Sequence, residues 1–413
     1  MVQIKQFAVE RWMDDHETTA KYNLAETCCA SISLHDLLSL SSSPSKNIFD
    51  FSQKQVYGAI RGSEALRSNI AALYNSNTAF DNGESSSAPA MTADNVLVTN
   101  GAIQANFLAL YTNIGPGDHV ICHYPTYQQL YSVPESFGAD VSLWRAKEDE
   151  GWRLDLDELQ ELIRPNTKLI IINNPQNPTG ATIPYATLSG LVTIARAHSI
   201  FIHSDEVYHP LFHTPTSTSP NRTPSILSFP YPNILATGSM SKAFSLAGIR
   251  LGWIASPSAA TVTACASTRD YTTISVSQLD DAVATFALVP ATVPALLARN
   301  VALARENLVV LATFVDEFKE GCRWAGPPAA GTTAFVQFMG PGGRPVNDVA
   351  FCEGLLAKEG VLVAPGSACF GEGVDFKGYV RIGYVQEREV MVEGLEALRR
   401  FMREGFGDVP LAA

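Results

Sequence analysis

Positive charge is scarce in this chain of 413 residues: 29 Lys and Arg stand against 41 Asp and Glu, a net charge of −12. That balance argues against a nucleic-acid binder, which carries a basic footprint. Long apolar runs are missing too, so no segment reaches the roughly 20 residues of a membrane-spanning helix and no membrane partner is expected. The opening residues MVQIKQFAVERWMDDHE carry charges where a secretory signal would be apolar. Cysteines number seven, without a C-x-x-C pair, and Cys28 adjoins Cys29. Such an arrangement suits neither a routine disulfide nor a zinc site. H-E-x-x-H is absent, and Asp205-x-x-x-His209 has no third ligand nearby, so no metal is expected. These absences leave a reduced, soluble, cytoplasmic protein as the expectation.

What is present describes an ordinary globular chain, 46% hydrophobic and 17% charged. Its length exceeds what one core usually serves, which predicts two domains. An amphipathic helical piece lies around Phe7 to Trp12. KYNLAETCCASISLHDLLSL follows as a short extended element leading into a helix, and the polar SSSPSK (Ser41 to Lys46) breaks the pattern. The spacing of Ile60, Leu66, Ile70 and Leu73 predicts a helix over Val56 to Tyr74. Asn75 to Ala88 reads as a polar surface insert. From Val96 to Ser256 short apolar runs alternate with helical stretches: VLVTNG, HVICHYP, ADVSLWRA, KLIIINNP, FIHSDEVY and ILATGSMSK read as strands. This alternation predicts an open, mostly parallel α/β sheet between helices. Gln278 to Gly321 reads as helical, interrupted by Pro290 and Pro294. TTAFVQF, VLVAPG and YVRIGYV are strands of a C-terminal α+β region. No internal repeat is present.

Ligands of such sheets sit beyond the carboxyl ends of the strands, and polar residues gather at those ends. Thr237 to Trp253, TGSMSKAFSLAGIRLGW, sets Lys242 among small and hydroxylated residues, with Arg250 eight positions on. A lysine so placed suits a Schiff base to an aldehyde cofactor bearing a phosphate, the chemistry of pyridoxal 5'-phosphate. Asp205 ends a strand, where a carboxylate can pair with a pyridine nitrogen; it can equally cap a helix. The Gly101-Ala102-Ile103 turn offers backbone donors at a helix start. Tyr208 and Asn177 could reach the ring hydroxyl, and Tyr127 in YPTY could stack on the ring. Arg381 could take a substrate carboxylate in a bidentate pair. Singly, each of these residues has a commoner structural role.

In order along the chain, however, the motifs resemble those of class I/II aminotransferases of PLP fold type I. The matching stretches are VTNGA (Val98 to Ala102), YPTY (Tyr124 to Tyr127), NNPQNPTG (Asn173 to Gly180), SDEVY (Ser204 to Tyr208), SMSKAFSLAGIRLGW (Ser239 to Trp253) and VRIGY (Val380 to Tyr384). The resemblance implies a large cofactor-binding domain over 50–290 with a seven-stranded-type sheet. A smaller α+β domain would draw on both termini, 1–49 and 291–413. It implies Lys242, Asp205 and Tyr208 as catalytic residues. Gly101, Ala102, Ile103, Tyr127, Asn177, Ser239, Ser241 and Arg250 would bind the cofactor with them, and Arg381 and Asn177 the substrate. Tyr57 in YGAIRGSEALRSNIA would reach a partner's phosphate across a homodimer. The substrates implied are an L-amino acid and a 2-oxo acid.

The match departs at YNLAETCCASIS, which replaces the glycine-rich segment usual over the substrate in this family. Glu26 in that place would favour a cationic substrate side chain, or it caps a helix or faces water. This stretch and RDYTTISVS (Arg269 to Ser277) look similar to the capreomycidine-synthase-like branch. That branch implies an alternative: elimination and cyclisation of an arginine-type amino acid. A regulatory protein on the same fold is the third reading, and the acidic charge and early start of the fold speak against it.

Overall fold

The computed structural model describes residues 4–42, 47–76, 88–213 and 223–413. The residues 43–46 of SSSPSK and 77–87 of the polar insert lie outside that description.

The apolar run after Lys168 becomes a strand with both faces covered, as continuous hydrophobicity requires. Seven strands form the large sheet: β2 (Val96–Thr99), β3 (His119–Tyr124), β4 (Asp140–Arg145), β5 (Thr167–Asn173), β6 (Phe201–Asp205), β7 (Ile234–Ser239) and β8 (Gly252–Ala255). Their order is β2-β8-β7-β6-β5-β3-β4, and β8 alone runs antiparallel to its neighbours. Alternate residues serve opposite layers. Leu97, Leu235 and Ile254 pack with Ala105, Leu108 and Val262 on one face. Val96, Val98, Ala236 and Ala255 join Leu188, Leu191 and Val192 on the other. The fold is thus the expected α/β sandwich of PLP fold type I, with a mostly parallel seven-stranded sheet. It brings the carboxyl ends of β2, β3, β5, β6 and β7 to one edge, beside the start of β8.

A four-stranded antiparallel sheet, ordered β12-β13-β10-β9, gathers β9 (Cys322–Arg323), β10 (Thr333–Phe338), β12 (Ala364–Pro365) and β13 (Tyr379–Gly383). β1 (Tyr22–Asn23) pairs with β11 (Val361–Leu362), so the N-terminal segment joins the C-terminal third. Residues 24–32 then cross between β13 and the Lys242 loop. Gly383 N donates to Leu24 O at 2.7 Å, and Cys29 N to Lys242 O at 3.4 Å. Gly383 is required here by close approach: a Cβ on it would stand 1.8 Å from Glu26 O.

Two sequence expectations need correction. Helix does not run from Val56; it begins at Glu64 and ends at Ser76. Gly62 adopts φ +92°, open to glycine at no steric cost, and the Ser63 hydroxyl accepts from Leu66 N at 3.2 Å as a cap. Pro294 does not interrupt a helix but starts one: Gln278–Leu288 and Val293–Glu317 meet at 81°, because proline is tolerated in a first turn. No single described helix is long and apolar enough to cross a membrane.

Candidate active site

Lys242 follows β7 in the loop that returns to β8, and neighbouring elements hold this loop in place. Asn300, buried on the helix Val293–Glu317, donates to Ala243 O at 2.8 Å and accepts from Ser245 Oγ at 3.0 Å. The Lys242 Nζ donates to Thr27 Oγ1 at 2.5 Å and lies 3.5 Å from Cys28 Sγ and 3.8 Å from Glu26 Oε1. Burial pulls its pKa down, but the acidic groups Cys28, Tyr208 and Glu26 outweigh burial and raise it. The lysine is therefore cationic here, contrary to the depressed value that imine chemistry favours.

Glu26 is its counter-charge. The carboxylate also accepts from Thr27 N at 2.6 Å and Cys28 N at 2.9 Å. Burial opposes its ionisation, yet Lys242 and the bonds to Cys28 and Thr27 prevail and lower it to about 2. Glu26 caps no helix, since Thr27 and Cys28 lie ahead of the helix Leu34–Ser39; its carboxylate closes a turn on the two following residues and pairs with Lys242.

Asp205 ends β6, buried. Its Oδ2 accepts from Asn106 Nδ2 at 2.8 Å and its Oδ1 from Val207 N at 3.2 Å. Burial nevertheless raises it to about 6. Tyr208, also buried, has its phenol raised by burial against the pull of Lys242, Arg381 and a bond to Thr27. Asn177 accepts from Arg381 Nη1 at 3.3 Å, and Arg381 Nη2 donates to Ala25 O at 2.8 Å. Arg381 is buried, its Nε has no partner, and both acceptors are uncharged oxygens. A buried guanidinium in that state lacks the anion that would offset its desolvation.

A separate corner gathers Gly101, Ser239, Ser241 and Arg250. Gly101 takes φ +73° at the start of the helix Gly101–Asn113, and Arg250 takes φ +50°. For a non-glycine residue that conformation costs energy and marks functional sites. Arg250 Nη1 donates to Ser241 Oγ at 3.3 Å, and Ser239 Oγ accepts from Ser241 N at 3.0 Å. A Cβ on Gly101 would stand 2.9 Å from Arg250 Nη2; one on Gly252 would stand 2.4 Å from Gly101 C. Arginine, hydroxyls and a helix N-terminus around a turn without side chains form a cradle for a phosphate. These residues fit a phosphorylated pyridine aldehyde, which would find the cradle for its phosphate, the buried carboxylate of Asp205 for its ring nitrogen and the amine of Lys242 for its aldehyde.

The other expected residues are placed less directly. Tyr127 donates to Glu10 Oε1 at 2.7 Å and its ring lies 4.8 Å from Phe7. Ala102 is half-buried and Ile103 exposed, with Ile103 O accepting from Gln129 Nε2 at 2.6 Å. Tyr57 is 80% exposed and is not brought to this chain's own site. Among the described residues no group of three His, Cys, Asp or Glu could hold a metal. Two residues escaped the sequence reading: Thr27, against the lysine, and Asn106, on Asp205. Thr27 carries no sequence signal. Asn106 does, as a polar residue within the helical run ANFLAL.

The family model for aminotransferase class I and II matches residues 38–398. A capreomycidine synthase of Streptomyces vinaceus is 31% identical over 305 residues, 73% of each chain. An arginine–pyruvate transaminase of Pseudomonas aeruginosa is 30% identical over 341 residues, 82% of this chain and 80% of that one. The crystal structure of a PLP-dependent aminotransferase from Streptococcus suis 89-1591 superposes with a TM-score of 0.85 at 38% identity, covering 97% of this chain and 98% of the other. The chain belongs to the class I and II aminotransferases, pyridoxal-phosphate-dependent enzymes of fold type I.

Proposed function

We propose that this aminotransferase moves the amino group of an L-amino acid with a basic side chain to a 2-oxo acid, with Lys242 as the catalytic lysine. Bound pyridoxal phosphate supplies an electron sink that acidifies the substrate Cα. Gly101, Ala102, Ile103, Ser239, Ser241 and Arg250 would hold its phosphate, and Asp205 would pair with its ring nitrogen. Asn177 and Tyr208 would bind its ring oxygen, and Tyr127 would stack on its ring. Lys242 Nζ takes and returns the Cα proton as general base and acid. Arg381 and Asn177 receive the substrate α-carboxylate. The large domain is assigned to 50–290 and the small one to 1–49 with 291–413.

One observation carries the substrate class: residues 25 and 26 join an anion site to a cation site. Ala25 O holds the Arg381 guanidinium, which has no anionic partner, and the next residue is the Glu26 carboxylate. The Glu26 side chain is 42% exposed beside Lys242, which leaves its carboxylate open to a substrate cation. Similarity to an arginine–pyruvate transaminase supports the same class.

The test incubates the holoenzyme with arginine, ornithine and neutral amino acids, with and without 2-oxoglutarate or pyruvate. Amino transfer to the oxo acid, faster for the basic substrates, is expected. Similarity to capreomycidine synthase favours a second reading, elimination and cyclisation. Product formed from a basic amino acid without any oxo acid would establish that reading instead.

A further inference from the structure

The carboxylate of Asp205 is held by a side chain whose own orientation is fixed twice over. Asn106 Nδ2 donates to Asp205 Oδ2 at 2.8 Å, with a longer contact of 3.3 Å to Gln129 Oε1. On the opposite side of the amide, Asn106 Oδ1 accepts from Thr237 Oγ1 at 2.6 Å and faces His203 Nε2 at 3.1 Å. With the imidazole proton on Nε2, which also lies 3.3 Å from Thr237 Oγ1, the hydroxyl and the N–H share Oδ1 as acceptor, and an amide turned the other way would leave the hydroxyl without one. All these groups are buried. β6 sends His203 and Asp205 to one face at a spacing of two, Thr237 lies opposite Asp205 in the β6–β7 register, and the helix Gly101–Asn113 covers them with Asn106.

We propose that Asn106 is a positioning residue: its fixed amide keeps Asp205 ionised, so that Asp205 keeps the ring nitrogen of the bound cofactor protonated. A carboxylate so deeply buried favours its neutral form, and a neutral acid offers the ring nitrogen no counter-charge. A donor that can point only one way stabilises the anion without adding a proton of its own. The charged and titratable groups facing Asp205 divide in their effect. Lys242 favours its ionisation, Glu206 and Tyr74 lie near enough to couple to it, and burial holds His203 neutral. Direct hydrogen bonds come from Asn106 and from Val207 N, and of the two only Asn106 is a side chain, with the shorter contact.

This inference rests on the assignment of Asp205 as the ring-nitrogen partner, and the experiment separates the two. The holoenzyme is prepared with cofactor labelled with nitrogen-15 in the ring, and its resonance is recorded near pH 7.5. In the wild type the one proton shared by Asp205 and the ring nitrogen rests on the nitrogen, and the resonance has its protonated value. In Asn106→Leu the less stabilised carboxylate draws that proton to itself; the ratio of protonated to unprotonated ring falls about 10- to 100-fold, the size of one hydrogen bond to a charged group, and the resonance moves toward the unprotonated value. In Asp205→Asn the resonance at this pH is unprotonated. A wild-type resonance in Asp205→Asn would sink the assignment of Asp205. An unprotonated ring in Asp205→Asn, with the wild-type resonance kept in Asn106→Leu, would overturn the role of Asn106 alone. Should Asn106→Leu fail to fold or load cofactor, Thr237→Val decides. It releases one anchor of the amide, and a smaller shift in the same direction is expected; no shift overturns the proposal.

Discussion

At the scale of single residues, charge placement explains most of the site. The Lys242 pKa is raised by Cys28, Tyr208 and Glu26 together, with Glu26 3.8 Å away, and Glu26 is anionic because Lys242 and two backbone N–H groups bind it. With Glu26 lowered to about 2, its charge persists at every pH above roughly 3. The proposed preference for basic substrates should therefore not vary with Glu26 titration between pH 5 and 9. Glu26→Gln is expected to lower kcat/KM for arginine or ornithine roughly 10- to 100-fold, one charged contact, while neutral substrates change little; steady-state kinetics on both classes measures it. Asp205 and Glu206 behave oppositely. Burial raises them to about 6 and about 7, above their unfolded values near 3.9 and 4.3. The folded chain then binds more protons than the unfolded one between pH 4 and 7, so their contribution to stability declines as pH rises through that window. Glu206→Gln should raise the Tm of the cofactor-free protein by about 2–4 °C at pH 8, with the gain shrinking toward pH 4; calorimetry at both pH values checks this.

Among elements, glycines set how closely segments approach. A methyl at Gly252 would meet Gly101 C and Ala102 N at 2.4 and 2.5 Å, so Gly252→Ala should open the corner beside Arg250 and weaken cofactor affinity tenfold or more. A cofactor titration read by absorbance measures that loss. Gly383→Ala places a methyl 1.8 Å from Glu26 O; by overpacking of this kind it should cost about 1–3 kcal/mol and displace Glu26, read by denaturant melts together with activity on basic substrates. The strands of the large sheet were legible because buried parallel strands are short, apolar and end in polar clusters, as KLIIINNP and FIHSDEVY do. The start of the helix at Glu64 was not, because Ile60 keeps helical spacing while lying 57% exposed ahead of the Gly62 turn. Lys242, Asp205 and Arg381 could be named from motifs whose residue types the chemistry demands. Thr27 could not, since its place beside Lys242 arises only from the crossing of residues 24–32, a contact 215 positions long in sequence.

For the molecule as a whole, a line of apolar side chains remains in solvent. Phe51 is 92% exposed, Tyr57 80% and Tyr271 94%, accompanied by Val56, Ile60 and Ile274. Arg269 ties the two segments, donating to Ile60 O and Ile274 O. Exposed apolar groups on these segments mark an interaction surface, and the homodimer that the family resemblance implies would cover it with Tyr57 directed to the partner. Light scattering should then report twice the 44.6 kDa chain mass, falling toward one chain in Tyr57→Asp/Ile60→Asp; a monomeric wild type would remove the shared-site reading.

The most direct test of the account fixes the cofactor to its lysine. The holoenzyme is reduced with borohydride, digested and mapped by mass spectrometry, beside Lys242→Ala loaded under the same conditions. The account predicts the cofactor's mass on the peptide carrying Lys242, and loss in Lys242→Ala of the near-visible absorption given by a lysine-linked cofactor. Label on another lysine, or absorption retained in Lys242→Ala, would contradict it.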